Sequence, residues 1–256
     1  MTGPVYRLIQ LGAGADPRLL DLSPVVAEAV AHSVGTGAAP PTVVLRRQRP
    51  YALLGPRDRR LPRLDAGLRL LKAAGLPVYE RISGGSAVIL DEHCLSFAVA
   101  VPCRDRTLIL RNFETLTEGV RRGLRRLGLD AVFGEAPGSF CPGPYDLMVD
   151  GFKVAGVAQA LRGGFALVSG MVLVSQDPVP VTDLLNRFYA AAGGDAALVP
   201  HHVAPLTRLL GRPVSVDEVE AALRQGFAEL YPLTPSSLTP AERERAANLA
   251  RARRVA

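Results

Sequence analysis

The chain predicts an α+β fold, a mixed β-sheet flanked by helices. Two blocks of strand-like runs, roughly residues 42–101 and 146–173, carry most of its β-branched and apolar alternation. Helical periodicity takes over after Pro180. The two element types come in blocks, without the strict alternation that a parallel βαβ sheet requires. At 256 residues the chain is long enough to bury one large core, and residues 1–256 read as a single domain.

Taken in order, Val5–Gln10 reads as a short strand. A helix follows over about Pro24–Val34, with Ser23 as N-cap and proline at the first helical position, and Gly35–Pro41 ends it. Thr42–Leu45 is strand-like, with Tyr51–Leu54 as its expected partner. Leu64, Leu68, Leu71 and Leu76 mark a helix closed by Gly75-Leu76-Pro77. Val78–Arg81, Ala87–Leu90 and Leu95–Val101 predict three strands. Leu108, Phe113, Leu116, Val120, Leu124 and Leu127 give the best amphipathic helix, with arginines on its other face. Asp150-Gly151 between apolar runs predicts a hairpin joining Asp146–Val149 to Lys153–Gln159, and Phe165–Leu173 reads as a further strand. Beyond Pro180 the helices are Val181–Ala192, Ser215–Leu230 and Pro240–Arg254, the last opened by a capping box at Thr239-Pro240-Ala241-Glu242. No internal repeat is visible. The only biased patch is Ala/Gly-rich, Ala190–Ala197.

Composition narrows the function classes. Apolar residues make up 48% and charged residues 21%, as in ordinary globular domains. No apolar run approaches the roughly 20 residues a membrane span needs. Met1-Thr2-Gly3-Pro4 lacks the charged start and apolar stretch of a signal peptide, so a cytoplasmic protein is expected. Three cysteines without a CxxC argue against a disulfide framework or a structural zinc site. A net charge of +6 and a pI near 9.6 suit nucleic acid or an acidic protein partner. With 5% aromatics and no tryptophan there is little to stack on bases, so nucleic acid is not the expected partner. The arginine clusters at Arg57–Arg63, Arg121–Arg126 and Arg243–Arg254 read as solvated helix faces.

Chemistry concentrates in Gly138–Leu147 and Gly151–Gln159. Of 30 basic residues only Lys72 and Lys153 are lysine, and a lysine amine can lose its proton where a guanidinium cannot. Cys141 lies twelve residues before Lys153, in a proline-rigid loop with Pro142-Gly143-Pro144. It is a candidate nucleophile with a candidate activator. The alternative is a buried, inert thiol, and Cys94 and Cys103, at the ends of the strand Leu95–Val101, fit that description. Arg81-Ile82-Ser83-Gly84-Gly85-Ser86-Ala87 lets backbone approach a ligand closely or face an oxyanion with its N–H groups; a plain β-turn is the other reading. It matches neither a Walker loop nor a dinucleotide fingerprint. Among His32, His93, His201 and His202 only the last two are close in sequence, and adjacent side chains rarely share a ligand, so no metal site is expected. A Cys-His dyad through His93 stays open.

These blocks carry a resemblance. Tyr79–Val88, Leu90-Asp91-Glu92 and Gly151–Gln159 resemble the signature blocks of the lipoate-protein ligase and octanoyltransferase superfamily, which shares its catalytic fold with biotin protein ligases. Ser139–Leu147 is similar to the cysteine loop of octanoyl-[glycine cleavage H protein]:protein N-octanoyltransferases, the lipoyl amidotransferases of Gram-positive bacteria. Leu54-Gly55 to Arg63 is similar as well. The resemblance covers roughly residues 42–178, leaving a helical portion of about 180–256. It implies a biotin/lipoate protein ligase-like catalytic domain in which Cys141 accepts an octanoyl group as a thioester and Lys153 lies against the acyl carbonyl. It further implies that Arg81, Ser83, Gly84 and Gly85 line the acyl channel, with Ala155 and Gly156 on the opposite wall. The donor implied is the glycine cleavage H protein, and the acceptors are lipoyl domains of 2-oxoacid dehydrogenase acyltransferase subunits. Transfer between two lysine amides is near thermoneutral, so neither ATP nor a cofactor is expected. Lys153 serves either as an ammonium beside sulfur and oxyanion or as an amine that takes the incoming lysine's proton. Two positions depart from the family pattern: Ser96 stands where an asparagine is usual, and Val157 where many ligases have serine. Octanoyl-acyl carrier protein as donor, an ATP-dependent lipoate ligase and a non-catalytic lipoyl-domain-binding module are the alternatives.

Overall fold

The computed structural model describes residues 4–12, 14, 16–195 and 197–256. The reading at Met1–Gly3, and Ala196 of the Ala/Gly patch, lie outside the described residues. The chain opens with β1 (Tyr6–Leu11), the short α1 (Pro17–Asp21), α2 (Ser23–Gly35), β2 (Thr42–Arg46) and β3 (Tyr51–Leu54). It continues through α3 (Leu64–Ala73), β4 (Val78–Glu80), β5 (Val88–Leu90), β6 (Cys94–Pro102), α4 (Ile109–Arg126) and β7 (Val132–Gly134). The hairpin β8 (Asp146–Val149) and β9 (Phe152–Arg162) is followed by β10 (Phe165–Leu173). The rest is α5 (Pro178–Ala192), α6 (Leu206–Leu210), α7 (Val216–Ala228), β11 (Leu233–Ser236) and α8 (Pro240–Arg253).

Two sheets form, as the α+β expectation requires. The large one runs β11-β1-β2-β6-β10-β9-β8-β7 and the small one β4-β3-β5. In the large sheet β1 lies parallel to β2 and β11, and the remaining pairs are antiparallel. Alternation sorts its side chains onto two faces. Leu8, Val43, Leu45 and Phe97 meet α4 and α7 on one face. Ile9, Val44 and Ala98 meet α2 on the other. Past α2, the second face is covered by the small sheet, whose Ala52, Leu54 and Val78 share a core with Met171 and Leu173 of β10 and with Leu185 and Phe188 of α5.

Two local expectations are corrected. Tyr51–Leu54 does not pair with β2, because β1 and β6 already occupy both edges of that strand. After Pro50 the chain leaves the large sheet, and β3 becomes the centre of the small one. Ser23 is not an N-cap. Leu22 links α1 to α2 and its carbonyl already accepts from Val25 and Val26, which frees the Ser23 hydroxyl to face the Arg46 guanidinium. The Asp150-Gly151 hairpin forms as expected, both turn residues taking positive φ, 49° and 80°. The Thr239 capping box forms too.

The C-terminal stretch contains α5, α7 and α8 where periodicity places them, and also β11, which extends the sheet beside β1. Nothing in Leu233-Thr234-Pro235-Ser236 alternates, and its last three residues are exposed. The helices pack in pairs, α5 on α3, α7 on α4 and α8 on α2. In α4, Leu116, Val120 and Leu124 face Leu223 and Phe227 in one core, each fully buried side chain contributing about 1.5–3 kcal/mol. On its other side Arg122 and Arg126 pair with Glu229 just past α7. Glycines set the spacing of that contact. A Cβ on Gly119 would stand 2.1 Å from the Phe227 ring, and one on Gly226 would stand 2.3 Å from the Gly119 carbonyl. Gly119→Ala is therefore expected to cost about 1–3 kcal/mol by overpacking, read as a fall in denaturant midpoint; an unchanged midpoint would show that the helices sit further apart. Among the described residues no helix is long and apolar enough to cross a membrane.

Candidate functional site

A cavity opens between the two sheets. Leu53, Val88 and Leu90 of the small sheet form one wall, and Gly156, Val157, Ala158, Ser169, Gly170 and Met171 of the large sheet form the other. Including its open mouth it encloses about 570 Å³. Apart from a few polar groups its lining is apolar, and small residues on β9 and β10 give it depth. Phe140, Cys141, Lys153, Arg81 and Ser83 line it as well.

Cys141 is half-buried and sits in the loop between β7 and β8, at a φ of 49°. Few residues with a β-carbon take that left-handed conformation, and it costs of order 1–3 kcal/mol when they do. The loop is held by its surroundings. Val199 donates its N–H to the Gly138 carbonyl at 2.8 Å, and Asp146 accepts from the Gly143 N–H at 3.0 Å. The strained conformation directs Sγ toward the glycine loop, where it accepts from the Ser86 N–H at 3.2 Å and from Arg81 Nη2 at 3.3 Å. A peptide dipole and a guanidinium thus converge on the sulfur, the donors that a thiolate accepts.

Lys153 lies on β9 with its side chain 1% exposed. Its amine donates to the carbonyls of Phe140 and Cys141, both at 2.9 Å, and pairs with Asp146 Oδ2 at 2.7 Å. An ammonium has three N–H bonds and here meets three acceptors. Lys153 therefore ties the cysteine loop to the sheet and brings a positive charge beneath Cys141. Asp146, at the start of β8, also accepts from Val157 through Oδ1 at 3.2 Å. Burial pushes its carboxyl above the usual carboxylate range, and Lys153 opposes that shift. Ala204 donates to the Lys153 carbonyl, so the segment after α5 braces both the lysine strand and the cysteine loop.

The glycine loop needs its glycines. Gly85 has φ 103°, and a Cβ there would fall 2.5 Å from Cys141 Sγ and 2.7 Å from Arg81 Nη2. A Cβ on Gly55 would fall 2.0 Å from the Gly85 carbonyl. Arg81 closes the loop on itself, donating to the carbonyls of Gly84 and Ser86. From α5, the Tyr189 hydroxyl accepts from the Ala87 N–H and donates to Asp58, each at 3.0 Å. Asp58 in turn holds the Gly55 N–H at 2.8 Å, and burial raises its carboxyl.

The residues expected at the site divide. Arg81, Ser83, Cys141, Lys153 and Gly156 line the cavity. Gly85 faces the sulfur, whereas Gly84 bonds through its N–H to the Gln159 carbonyl. Ala155 points the other way, into the core shared with α4 and α7. Ser96, at the departure from the family pattern, lines the cavity and donates to Gln48 Oε1 at 3.0 Å. No histidine lines it; His93 is exposed and faces Ser175. Sequence reasoning gave no role to Asp146, Ser86, Tyr189 or Arg46. The only available signal was for Asp146, an acidic residue at the start of an otherwise apolar strand.

Cys94 is fully buried, and burial raises its thiol well above the usual value. Cys103 is only half-buried, which corrects the expectation of a core residue: the strand ends at Pro102 and Cys103 opens the following loop. A thiol reagent at neutral pH should therefore modify Cys141 and Cys103 and spare Cys94 until the protein unfolds, as read by intact mass. Cys94→Ala should lower stability by about 1 kcal/mol. Modification of Cys94 in the native protein would contradict its burial.

A mixed sheet with a half-buried cysteine and a buried lysine at one largely apolar cavity is the setting of a catalytic domain. The chain belongs to the lipoyl protein ligase A/B catalytic domain family, whose model matches residues 25–228. It is similar to the octanoyl-[GcvH]:protein N-octanoyltransferase of Bacillus velezensis, with 36% identity over 222 residues, covering 82% of this chain and 77% of that one. It is similar to the octanoyltransferase LipM of Kyrpidia tusciae at 32% identity, covering 95% of this chain and 94% of the relative. Among solved structures, lipoate-protein ligase A bound with ATP superposes with a TM-score of 0.75 at 27% identity, covering 98% and 95% of the two chains.

Proposed function

We propose that this protein is an acyltransferase of protein lipoylation that moves octanoyl from the glycine cleavage H protein to the lysine of lipoyl domains in 2-oxoacid dehydrogenase complexes. The observation that carries the reading is Cys141 Sγ, held between two hydrogen-bond donors where Cys141 lines a largely apolar cavity. The names of the amidotransferase relatives agree with it.

The thiolate of Cys141 attacks the carbonyl carbon of the octanoyl-lysine amide. A C–S bond forms, the C–N bond breaks, and the proton given up by the thiol leaves on the donor's amine. The acceptor lysine then attacks the thioester carbonyl. The C–N bond forms, the C–S bond breaks, and the sulfur regains the proton that the amine sheds. One amide is lost and one is made, so no ATP is consumed. The Ser86 N–H and Arg81 stand beside the sulfur, next to the place its bonded carbonyl oxygen takes as charge develops there. Lys153, as an ammonium held by Asp146, fixes the loop and adds positive charge under the reacting centre. The protein's net positive charge favours the approach of acidic carrier domains.

The test supplies octanoylated H protein and a lipoyl domain without ATP. Octanoyl appearing on the acceptor with the wild type, and not with Cys141→Ala, supports the assignment; transfer only when ATP is added, or undiminished transfer by the variant, refutes it. A second reading has its own support in the LipM relative, which aligns with 95% of the chain. In it the donor is octanoyl-acyl carrier protein. Loading of Cys141 from that donor, with none of the amide transfer, would replace the first reading by the second.

A further inference from the structure

The first turn of α4 is apolar and largely bare. Leu110 is the most exposed large apolar side chain among the described residues, at 61%, and Ile109 before it is 41% exposed. They stand one turn ahead of Phe113, on the side of the helix that continues into Leu116 and Val120. Further along, α7 covers that side. Leu223 meets α4 at Gly123 and Phe227 meets it at Gly119, so the two helices run antiparallel. α7 ends at Ala228, about two helical turns short of Leu110. Adjacent apolar side chains left bare inside a polar rim mark an interaction surface.

The rim is positively charged. Arg104, Arg106 and Arg111 are exposed. Among the described residues none of the three forms an ion pair, whereas every arginine from Arg121 to Arg126, at the other end of the helix, meets a carboxylate. The acidic side chains at the bare end are Asp105 and Glu114, and Asp105 is taken up by the N–H and hydroxyl of Thr107. Two contacts tie this surface to the sulfur. Phe113 stacks on Tyr145 of the cysteine loop, with ring centres 4.3 Å apart. Gln159 donates from Nε2 to the Ile109 carbonyl at 3.4 Å, and its own carbonyl accepts from the Gly84 N–H at 3.4 Å. The next residue, Gly85, faces Cys141 Sγ.

We propose that this end of α4 is the docking surface for the carrier domain that brings its lysine to Cys141. The partner it fits is a small acidic domain with an apolar residue near that lysine. The apolar residue is buried on Ile109 and Leu110, and carboxylates around it meet Arg104, Arg106 and Arg111. A lysine side chain is short, so the domain bearing it must rest on surface next to the sulfur, and this surface adjoins the cysteine loop and the glycine loop alike. Arginines without an intramolecular partner have their charge free for a partner's carboxylates, which sets orientation and speeds encounter. The inference deepens the acyl-transfer reading and rests on it for the identity of the carrier.

Binding tests it without turnover. An unmodified lipoyl domain is titrated calorimetrically into the wild type, Leu110→Asp, the double variant Arg106→Glu with Arg111→Glu, and Val179→Asp as a control. All these positions are exposed, so the variants keep their fold. Leu110→Asp should bind at least about tenfold more weakly. The double variant should lose about tenfold at low salt and little at high salt. Val179→Asp adds the same charge at a 58% exposed valine of α5 and should bind as the wild type does. A wild type that binds no lipoyl domain, unchanged affinity in Leu110→Asp or in the double variant, or an equal loss in Val179→Asp would each overturn the proposal. So would a dimer of the wild type that Leu110→Asp splits, since the face would then belong to a second copy of this chain. A wild type that transfers octanoyl, with an affinity that Leu110→Asp does not change, sinks this inference alone; binding through this face without any transfer sinks the proposed function alone.

Discussion

Cys141→Ser is expected to lower acyl transfer by about four orders of magnitude or more while leaving the protein folded. Oxygen replaces sulfur at the same position, so the loop keeps its hydrogen bonds to Gly143 and Gly138. The nucleophile changes greatly. Sulfur is the better nucleophile toward an acyl carbonyl, and Arg81 and Ser86 stand beside it; a serine hydroxyl with no base beside it is a far weaker one. No histidine lines the cavity to serve as that base. Cys141→Gly separates chemistry from stability more sharply. At a φ of 49° a β-carbon is strained, so the glycine variant should lose transfer equally and gain about 1 kcal/mol of stability. Rates from an ATP-free transfer assay and melting temperatures of both variants check this. A serine variant within tenfold of wild type would take the sulfur out of the chemistry, and a glycine variant that melts lower would show that the loop is unstrained.

What the sequence disclosed and what it hid follow from how far each signal reaches along the chain. The β8–β9 hairpin was legible because its turn residues and flanking apolar runs lie within twenty residues, and the Asp150-Gly151 conformation is intrinsic to those residues. Helix α4 was legible because its stripe and its arginines repeat every turn. The partner of β2 was not. Sequence proximity favoured β3, and the actual neighbours β1 and β6 are fixed by the whole sheet. β11 was invisible for the same reason: an exposed Thr-Pro-Ser stretch becomes a strand only because β1 offers a parallel edge. At the site, Cys141 and Lys153 stood out by rarity, one of three cysteines and one of two lysines. Arg46, which lines the same cavity, did not, since 28 arginines leave none conspicuous. Tyr189 stands more than a hundred residues after the loop it holds, and only the packing of α5 reveals the connection.

The lysine is the other position where a single change should have a large effect, and stability and rate should respond to it separately. In Lys153→Met the Asp146 carboxylate remains buried without its cation, which typically costs about 3–5 kcal/mol. That loss should depend on pH in a direction that can be worked out. Burial already raises the Asp146 carboxyl, and removing Lys153 takes away its main opposing influence, so the folded-state value in the variant rises further above the unfolded one. Between those two values the folded protein holds a proton that the unfolded chain has released, so stability declines as pH rises through that window. The variant should therefore be weakest, relative to wild type, at neutral and higher pH, and recover as acid protonates Asp146. Lys153→Met with Asp146→Asn should regain most of the stability at neutral pH, because no unpaired charge is left, yet stay inactive. Lys153→Arg tests geometry at constant charge. A planar fork cannot reach Phe140, Cys141 and Asp146 from the position of a slender ammonium, so transfer should fall about a hundredfold or more. Denaturant unfolding across pH 5–8 and ATP-free transfer rates measure both effects. Near-wild-type turnover in Lys153→Arg would reduce Lys153 to a source of positive charge. A Lys153→Met variant with the stability of wild type at neutral pH would mean that Asp146 needs no cation.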